Sequence, residues 1–425
     1  MSHFYHLDGA LHADALPLSR IAEQFGTPTY VYSKAALLDN FASFADACQG
    51  RDALICYAMK ANSNLAILNL LARQGAGFDI VSGGELLRVI AAGGDPGKVI
   101  FSGVGKSEAE MRLALTHDIL CFNVESIPEL HRLNAVAGSM GLRARVSLRV
   151  NPNVDAKTHP YIATGLKANK FGVAFDDALA TYRTAAGLPH LDPVGIDCHI
   201  GSQLLDDAPL LEALDKLIEL VDALAAEGIV LHHLDMGGGI GINYGEAGEE
   251  EPVPVGDYLG RVFARIDAWR AASHDGAPIK VIFEPGRAIV GDTGVLLTRV
   301  EYLKPGAEKN FCIVDAAMND LMRPALYQAW MDVRPVTLRD SAPALYDVVG
   351  PVCESGDWLA RERALAVEQG DLLAIMQAGA YGLTMSSNYN TRGRAAEVIV
   401  DGDQVHLVRE RENAADLFAL ESILK

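Results

Sequence analysis

Ala53-Leu54-Ile55-Cys56-Tyr57-Ala58-Met59-Lys60 is an apolar run that ends abruptly in a cation. It reads as a buried strand with a polar group at its carboxyl end. Working outward, comparable strand-like runs lie at 78–81, 98–101, 119–122, 144–150, 191–197, 231–235 and 280–284. Amphipathic stretches separate them. In 210–226, Leu210, Leu214, Leu217, Ile218, Val221 and Leu224 recur at helical spacing. In 126–137, Ser126 is placed as a helix cap, with Glu129 three residues on to complete a capping box. Eight strands alternating with helices over about 230 residues match the count and length of a (β/α)8 barrel. A doubly wound open sheet is the rival arrangement.

After about residue 290 the pattern changes. Runs at 294–303, 310–315, 346–349, 371–376 and 397–400 are strand-like, with short helical candidates near 319–330 and 356–361. A mostly β second domain is expected over 290–425, following a barrel over 34–289. Residues 1–33 carry a strand-like piece, Thr29 to Tyr32, and are expected to pair with that β domain. The acidic loop Glu246 to Glu251, followed by Pro252 and Pro254, reads as a solvated excursion.

Composition narrows the function classes. Of the 425 residues 50% are hydrophobic and 21% charged, which supports a large core and excludes disorder, collagen and coiled coil as the main architecture. The net charge of −19 disfavours general binding to nucleic acid or anionic membrane, and neither partner is expected. The six cysteines form no CxxC pair, so neither a disulfide framework nor a metal site is expected. The opening Met1-Ser2-His3-Phe4 has no basic stretch leading into an apolar core, and no run approaches the roughly 18 apolar residues of a membrane span. A soluble cytoplasmic protein is the expectation.

A barrel gathers its chemistry at the carboxyl ends of its strands. Those ends read Tyr57-Ala58-Met59-Lys60, then Ser82-Gly83-Gly84-Glu85, His199-Ile200-Gly201-Ser202-Gln203, Asp235 running into Gly237 to Gly241, and Glu284-Pro285-Gly286-Arg287. Lys60 reads either as a strand-end lysine extending to solvent or as a Schiff-base lysine aimed by a rigid element. The glycine turn after the seventh strand is weak alone and does not fit GxGxxG. Its place beside the loop after the eighth strand suits a phosphate, held by converging backbone N–H groups. Glu284 needs a cationic partner if buried: Arg287, or a protonated pyridine nitrogen. His199 is either a satisfied structural histidine or a flat ring against a flat cofactor. Gly103-Val104-Gly105-Lys106-Ser107 imitates the end of a Walker motif, but the glycine required five positions before Gly105 is Ile100.

Together, Tyr57-Ala58-Met59-Lys60-Ala61-Asn62, His199 to Gln203, the Gly237–Gly241 turn and Glu284 to Arg287 resemble the fold-type III pyridoxal phosphate decarboxylases. That group acts on diaminopimelate, ornithine and arginine, and the motifs occur here in family order across nearly the whole chain. In the second domain, Met322-Arg323-Pro324-Ala325-Leu326-Tyr327, Gly350 to Asp357 and Ala378-Gly379-Ala380-Tyr381-Gly382 look like the diaminopimelate branch. Ornithine decarboxylases typically have aspartate where Glu354 stands. The resemblance implies a barrel followed by a β domain, pyridoxal 5'-phosphate as cofactor, and decarboxylation of meso-2,6-diaminopimelate to L-lysine. The alternative is decarboxylation of ornithine, arginine or a related diamine precursor.

The same resemblance assigns roles. Lys60 would carry the cofactor, Glu284 would face its pyridine nitrogen, and His199 would stack on its ring. Ser202, Gly238, Gly239, the amides of Gly286 and Arg287, and the Tyr381 hydroxyl would hold its phosphate. Arg287, Arg323, Tyr327, Glu354 and Tyr381 would line the substrate site. Cys353 would deliver a proton, where the bland alternative is a small buried hydrophobe. The family builds its sites at a two-fold interface, so a homodimer with shared active sites is expected, Lys60 coming from one subunit and Cys353 from the other.

Overall fold

The computed structural model describes residues 3–155, 164–165, 169–272 and 279–424. The chain divides into two compact units. One comprises Phe41–Ile242 and Glu251–Ala288, the other Met1–Asn40, Asn243–Glu250 and Ile289–Lys425.

The first unit is a closed ring of eight parallel strands: β1 (Ala53–Ala58), β2 (Gly77–Ile80), β3 (Val99–Phe101), β4 (Cys121–Val124), β5 (Ala144–Asn151), β6 (Leu191–Asp197), β7 (His233–Asp235) and β8 (Lys280–Phe283). Each pairs with the next in sequence, and β8 pairs with β1 through Ile282 and Leu54, which closes the ring and excludes the open sheet. The helix after β6, Ala208–Ala226, buries the leucine stripe read from the sequence, including Leu210, Leu214, Leu217, Val221 and Leu224. Helix Ile127–Ser139 begins where expected, with the Ser126 side chain accepting from the Glu129 N–H. Inside the ring Cys56, Ile100, Cys121, Val194 and Ile282 form a dry cluster. A ring closed by apolar packing fixes the strand ends, and that rigidity is what a positioned site requires.

The second unit is built on a nine-stranded sheet. Thr29–Ser33 sits inside it, antiparallel to Gly294–Lys304 and parallel to Ala396–Asp401, so the N-terminal segment is taken into the β domain. Phe4–Leu7, Ala10–Ala13 and Leu16–Pro17 form a separate three-stranded meander. Leu11, Val31, Val295, Leu297, Ala374 and Val398 share one buried cluster that ties the segments together. The helical expectation near 356–361 is corrected: Trp358–Leu365 is a strand, antiparallel to Ala344–Val349. Its Leu, Ala, Arg and Glu residues favour a helix locally, and cross-strand pairing overrides that preference. The helical candidate at 319–330 shrinks to the short helix Arg323–Tyr327.

Candidate active site

Strand β1 delivers Lys60 just beyond its carboxyl end, and the neighbouring strand supplies its partner. Ala58 and Asp79 are register partners on β1 and β2, and Lys60 Nζ donates to Asp79 Oδ2 at 2.8 Å. Asp79 is fully buried while the Lys60 side chain remains one-third exposed. The amine is therefore held at the barrel mouth yet reachable. The strand-end alternative, a lysine simply extended into solvent, does not describe this ion pair.

His199 lies just past β6. Burial, then the Lys60 and Arg149 cations, hold its pKa well below the ordinary value, so the imidazole is neutral. The Gly238 N–H donates to Nδ1 at 3.2 Å, which assigns the ring proton to Nε2. The carbonyl of His199 accepts from Thr164 Oγ1 at 2.6 Å.

The loop after β7 needs its glycines for space. Gly237 and Gly239 have left-handed φ values of 62° and 124°. A Cβ on Gly238 would fall 2.2 Å from the Glu284 carbonyl oxygen, and one on Gly237 would fall 2.3 Å from that of Cys198. After β8, a Cβ on Gly286 would meet the Ala58 carbonyl oxygen at 3.1 Å. Arg287 Nη2 donates to Ser202 Oγ at 3.1 Å, which joins the loops after β6 and β8.

Glu284 is 4% exposed, and its Oε1 is buried with no hydrogen-bond partner among the described residues. Arg287, the local cation, turns to Ser202 instead. Burial, reinforced by Asp235, Asp79 and Asp197, pushes the Glu284 carboxyl pKa well up. A cation brought to it would be strongly welcomed.

These residues fit pyridoxal phosphate. There is an amine for an aldehyde, a neutral flat ring, bare peptide edges for a phosphate, and an orphaned buried carboxylate oxygen for a protonated ring nitrogen. Fold and site together define a barrel enzyme of the pyridoxal phosphate class. Residues 34–291 match the family model described as pyridoxal-dependent decarboxylase, pyridoxal binding domain. The chain is 59% identical over 424 residues to a diaminopimelate decarboxylase of Pseudomonas aeruginosa, covering 100% of both. Among solved structures, the diaminopimelate decarboxylase of Helicobacter pylori complexed with L-lysine is 44% identical with a TM-score of 0.89, the match covering 95% of this chain and 99% of that one. That of M. jannaschii in complex with L-lysine is 37% identical with a TM-score of 0.94, covering 100% and 99%. This chain belongs to the pyridoxal-dependent decarboxylase family, and pyridoxal 5'-phosphate is its cofactor.

The barrel unit thus brings together Lys60, His199, Ser202, Gly238, Gly239, Glu284, Gly286 and Arg287. The β unit carries the remaining expected residues. Arg323 opens the short helix that also bears Tyr327. Its guanidinium is buried, lies 4.2 Å from the centre of the Tyr244 ring, and donates to Met331 Sδ at 3.2 Å. Cys353 and Glu354 lie exposed on a loop. Asp357 anchors that loop by accepting from the Val352 and Met318 N–H groups at 2.7 and 2.6 Å. Asn390 accepts from the Cys353 N–H at 2.9 Å. The bland reading of Cys353 as a buried hydrophobe does not hold, because the residue is exposed. Tyr381 is partly buried and has a left-handed φ of 54°.

Sequence reasoning missed the acids around these barrel residues: Asp79, Glu125 and Asp197, with Arg149 among them. Arg149 pairs with Glu125 at 3.4 Å and stacks 4.8 Å from the centre of the Phe171 ring. The usable signal was a carboxylate inside an otherwise apolar strand, as in Gly77-Phe78-Asp79-Ile80. The Walker-like Lys106 is buried and bonded to Glu129 at 2.8 Å and to the Asn123 and Gly103 carbonyls, so it serves the fold.

Burial raises the Asp235 pKa to about 7, an effect partly offset by the Gly237 N–H. A raised carboxyl pKa stabilises the fold most below the unfolded value of about 4, and that stability is lost as the pH rises through the folded value. Between pH 4 and 8, urea midpoints of the cofactor-free wild type are therefore expected to fall relative to Asp235→Asn. Parallel curves would contradict this assignment.

Proposed function

We propose that this protein decarboxylates meso-2,6-diaminopimelate to L-lysine and CO2, the last step of lysine biosynthesis, in the cytoplasm and as a homodimer. The full-length likeness to diaminopimelate decarboxylases carries the reading. Six free cysteines, none paired in a disulfide, fit a reducing compartment. Among the described residues no helix is long and apolar enough to cross a membrane.

When bound, pyridoxal phosphate supplies an electron sink for the pair released from the bond between the substrate's α-carbon and its carboxylate. The chain does the rest. Lys60 would hold the cofactor through its amine, and Asp79 would keep that amine positioned at the barrel mouth. Glu284 maintains a proton at the pyridine nitrogen. Neutral His199 offers a ring face without adding a competing positive charge. The amides of Gly238, Gly239, Gly286 and Arg287, with the hydroxyls of Ser202 and Tyr381, hold the phosphate. Cys353, provided by the partner subunit, delivers a proton to the substrate carbon after CO2 leaves.

Specificity rests on the far end of the substrate. Diaminopimelate presents a second α-carboxylate and a second α-ammonium. Arg287 and Arg323 suit the former, since a guanidinium fork binds a carboxylate bidentately. Glu354 suits the latter, with Tyr327 and Tyr381 completing the site. Ornithine lacks the distal carboxylate and would forgo its ion pair with the two arginines, a cost on the order of 3–5 kcal/mol.

Arg323→Ala is therefore expected to lower kcat/KM for diaminopimelate by roughly 10²-fold or more while leaving cofactor affinity nearly unchanged. Steady-state kinetics and a cofactor titration test this. An unchanged kcat/KM would remove Arg323 from the substrate site.

A further inference from the structure

Three carboxyl groups crowd the barrel mouth around the position assigned to the pyridine nitrogen. Asp197 and Asp235 are register partners on β6 and β7, so their side chains emerge together. Glu284 follows β8, the next strand round the ring. One oxygen from each of the three lies within 4.8 Å of the others, and all three residues are buried.

Their hydrogen bonds do not close without an extra hydrogen. Asp235 Oδ1 accepts from the Gly237 N–H at 2.8 Å. Asp235 Oδ2, Asp197 Oδ1 and Glu284 Oε1 are buried with no donor from the described residues. The Asp235 and Glu284 carboxyls are nevertheless within hydrogen-bonding reach of each other. Two ionised carboxylates in that position would face each other as acceptors only. Among the described residues, the nearby cations are already engaged. Lys60, beyond β1, is 2.8 Å from Asp79 on β2, and Arg149 on β5 is bonded to Glu125, beyond β4. His199, beyond β6, is neutral. Burial pushes all three acids toward their neutral forms.

The chemistry decides which acid holds the proton. Glu284 has to be anionic to keep a pyridine nitrogen protonated, and at Asp197 the Arg149 charge counters part of the effect of burial and of Asp235. Asp235 remains, and its free oxygen is the one not committed to Gly237. We propose that Asp235 is a positioning residue that works as a neutral acid, its Oδ2–H donating to Glu284 and fixing that carboxylate for the cofactor. The proposal rests on the reading of Glu284 given above.

Asparagine can replace a neutral acid here. Its amide NH2 can donate to Glu284 while its carbonyl accepts from Gly237. Alanine can do neither. The readout is the rate at which purified holoenzyme releases pyridoxal phosphate into a trap, followed for wild type, Asp235→Asn, Asp235→Ala and Glu284→Ala. Asp235→Asn is expected to stay within about threefold of wild type, and Asp235→Ala to release at least roughly tenfold faster, as when the outer partner of a ligand is removed. The infrared carbonyl stretch of a protonated carboxylic acid is expected in wild type and lost in Asp235→Asn. That arm needs only the well-tolerated variant.

Rapid release from Asp235→Asn alongside rapid release from Glu284→Ala would overturn the proposal alone, since Asp235 would then act as an anion. Wild-type release from Asp235→Ala would also overturn it. Wild-type release from Glu284→Ala would remove the reading of Glu284 and the proposal with it. A divalent cation is the other occupant three carboxylates could hold, and stoichiometric metal in the purified holoenzyme by elemental analysis would overturn the shared proton.

Discussion

Lys60→Ala is expected to lower turnover on the order of 10⁴-fold or more, because the proposed attachment of the cofactor to its amine would be lost. Lys60 is the cation that β1 delivers to the mouth, and Asp79 fixes its amine from the adjacent strand. Arg149, the other cation close to His199, has its pKa raised by Glu125 and Asp197 and stays protonated, so it offers no nucleophilic nitrogen. Borohydride is expected to fix the cofactor to Lys60 in the wild type and to bleach its visible absorption. The variant is expected to show neither effect. Peptide mapping that finds the label on a different lysine would contradict the assignment.

Mixing two inactive variants is expected to restore about a quarter of wild-type activity. Lys60→Ala and Cys353→Ala lesions lie in different units of the chain. In a two-fold dimer whose sites each take Lys60 from one subunit and Cys353 from the other, a mixed dimer has one intact site and one doubly damaged site. With free exchange half of the dimers are mixed, which gives the quarter. The exposure of Cys353 and Glu354 is in keeping with this arrangement, since the residues proposed as proton donor and substrate ligand are open on the single chain. Demonstrated subunit exchange with no recovery would reject the shared site.

The barrel was legible because its signal is local and repeated. Ala53–Ala58 and Leu191–Asp197 stand as strands at the residues their apolar runs suggest, and the remaining strands shift by a residue or two. The barrel's motif residues were legible for a related reason: they lie at or just beyond strand ends, where polar or glycine residues follow an apolar run. Trp358–Leu365 was not legible, because its helix-favouring residues are held as a strand by antiparallel pairing with the preceding strand, Ala344–Val349, and such pairing is not visible in local propensity. Val333–Pro335 was missed because its partner, Leu372–Ile375, is remote in sequence. The carboxyl cluster was hidden differently. Asp197, Asp235 and Glu284 are far apart in sequence, and only closure of the ring places their oxygens within 4.8 Å of one another. Glu284 was read as buried with Arg287 as a candidate partner, whereas Arg287 bonds Ser202 and the burial is shared with other acids.

A product assay separates the candidate reactions. Purified protein with pyridoxal phosphate is given meso-diaminopimelate, ornithine, arginine or lysine separately, and both CO2 and the amine product are measured. The account predicts equimolar CO2 and L-lysine from meso-diaminopimelate, with kcat/KM at least about 10²-fold above that for any of the others. Preferential release of CO2 from ornithine or arginine, with the matching diamine or amine, would contradict it.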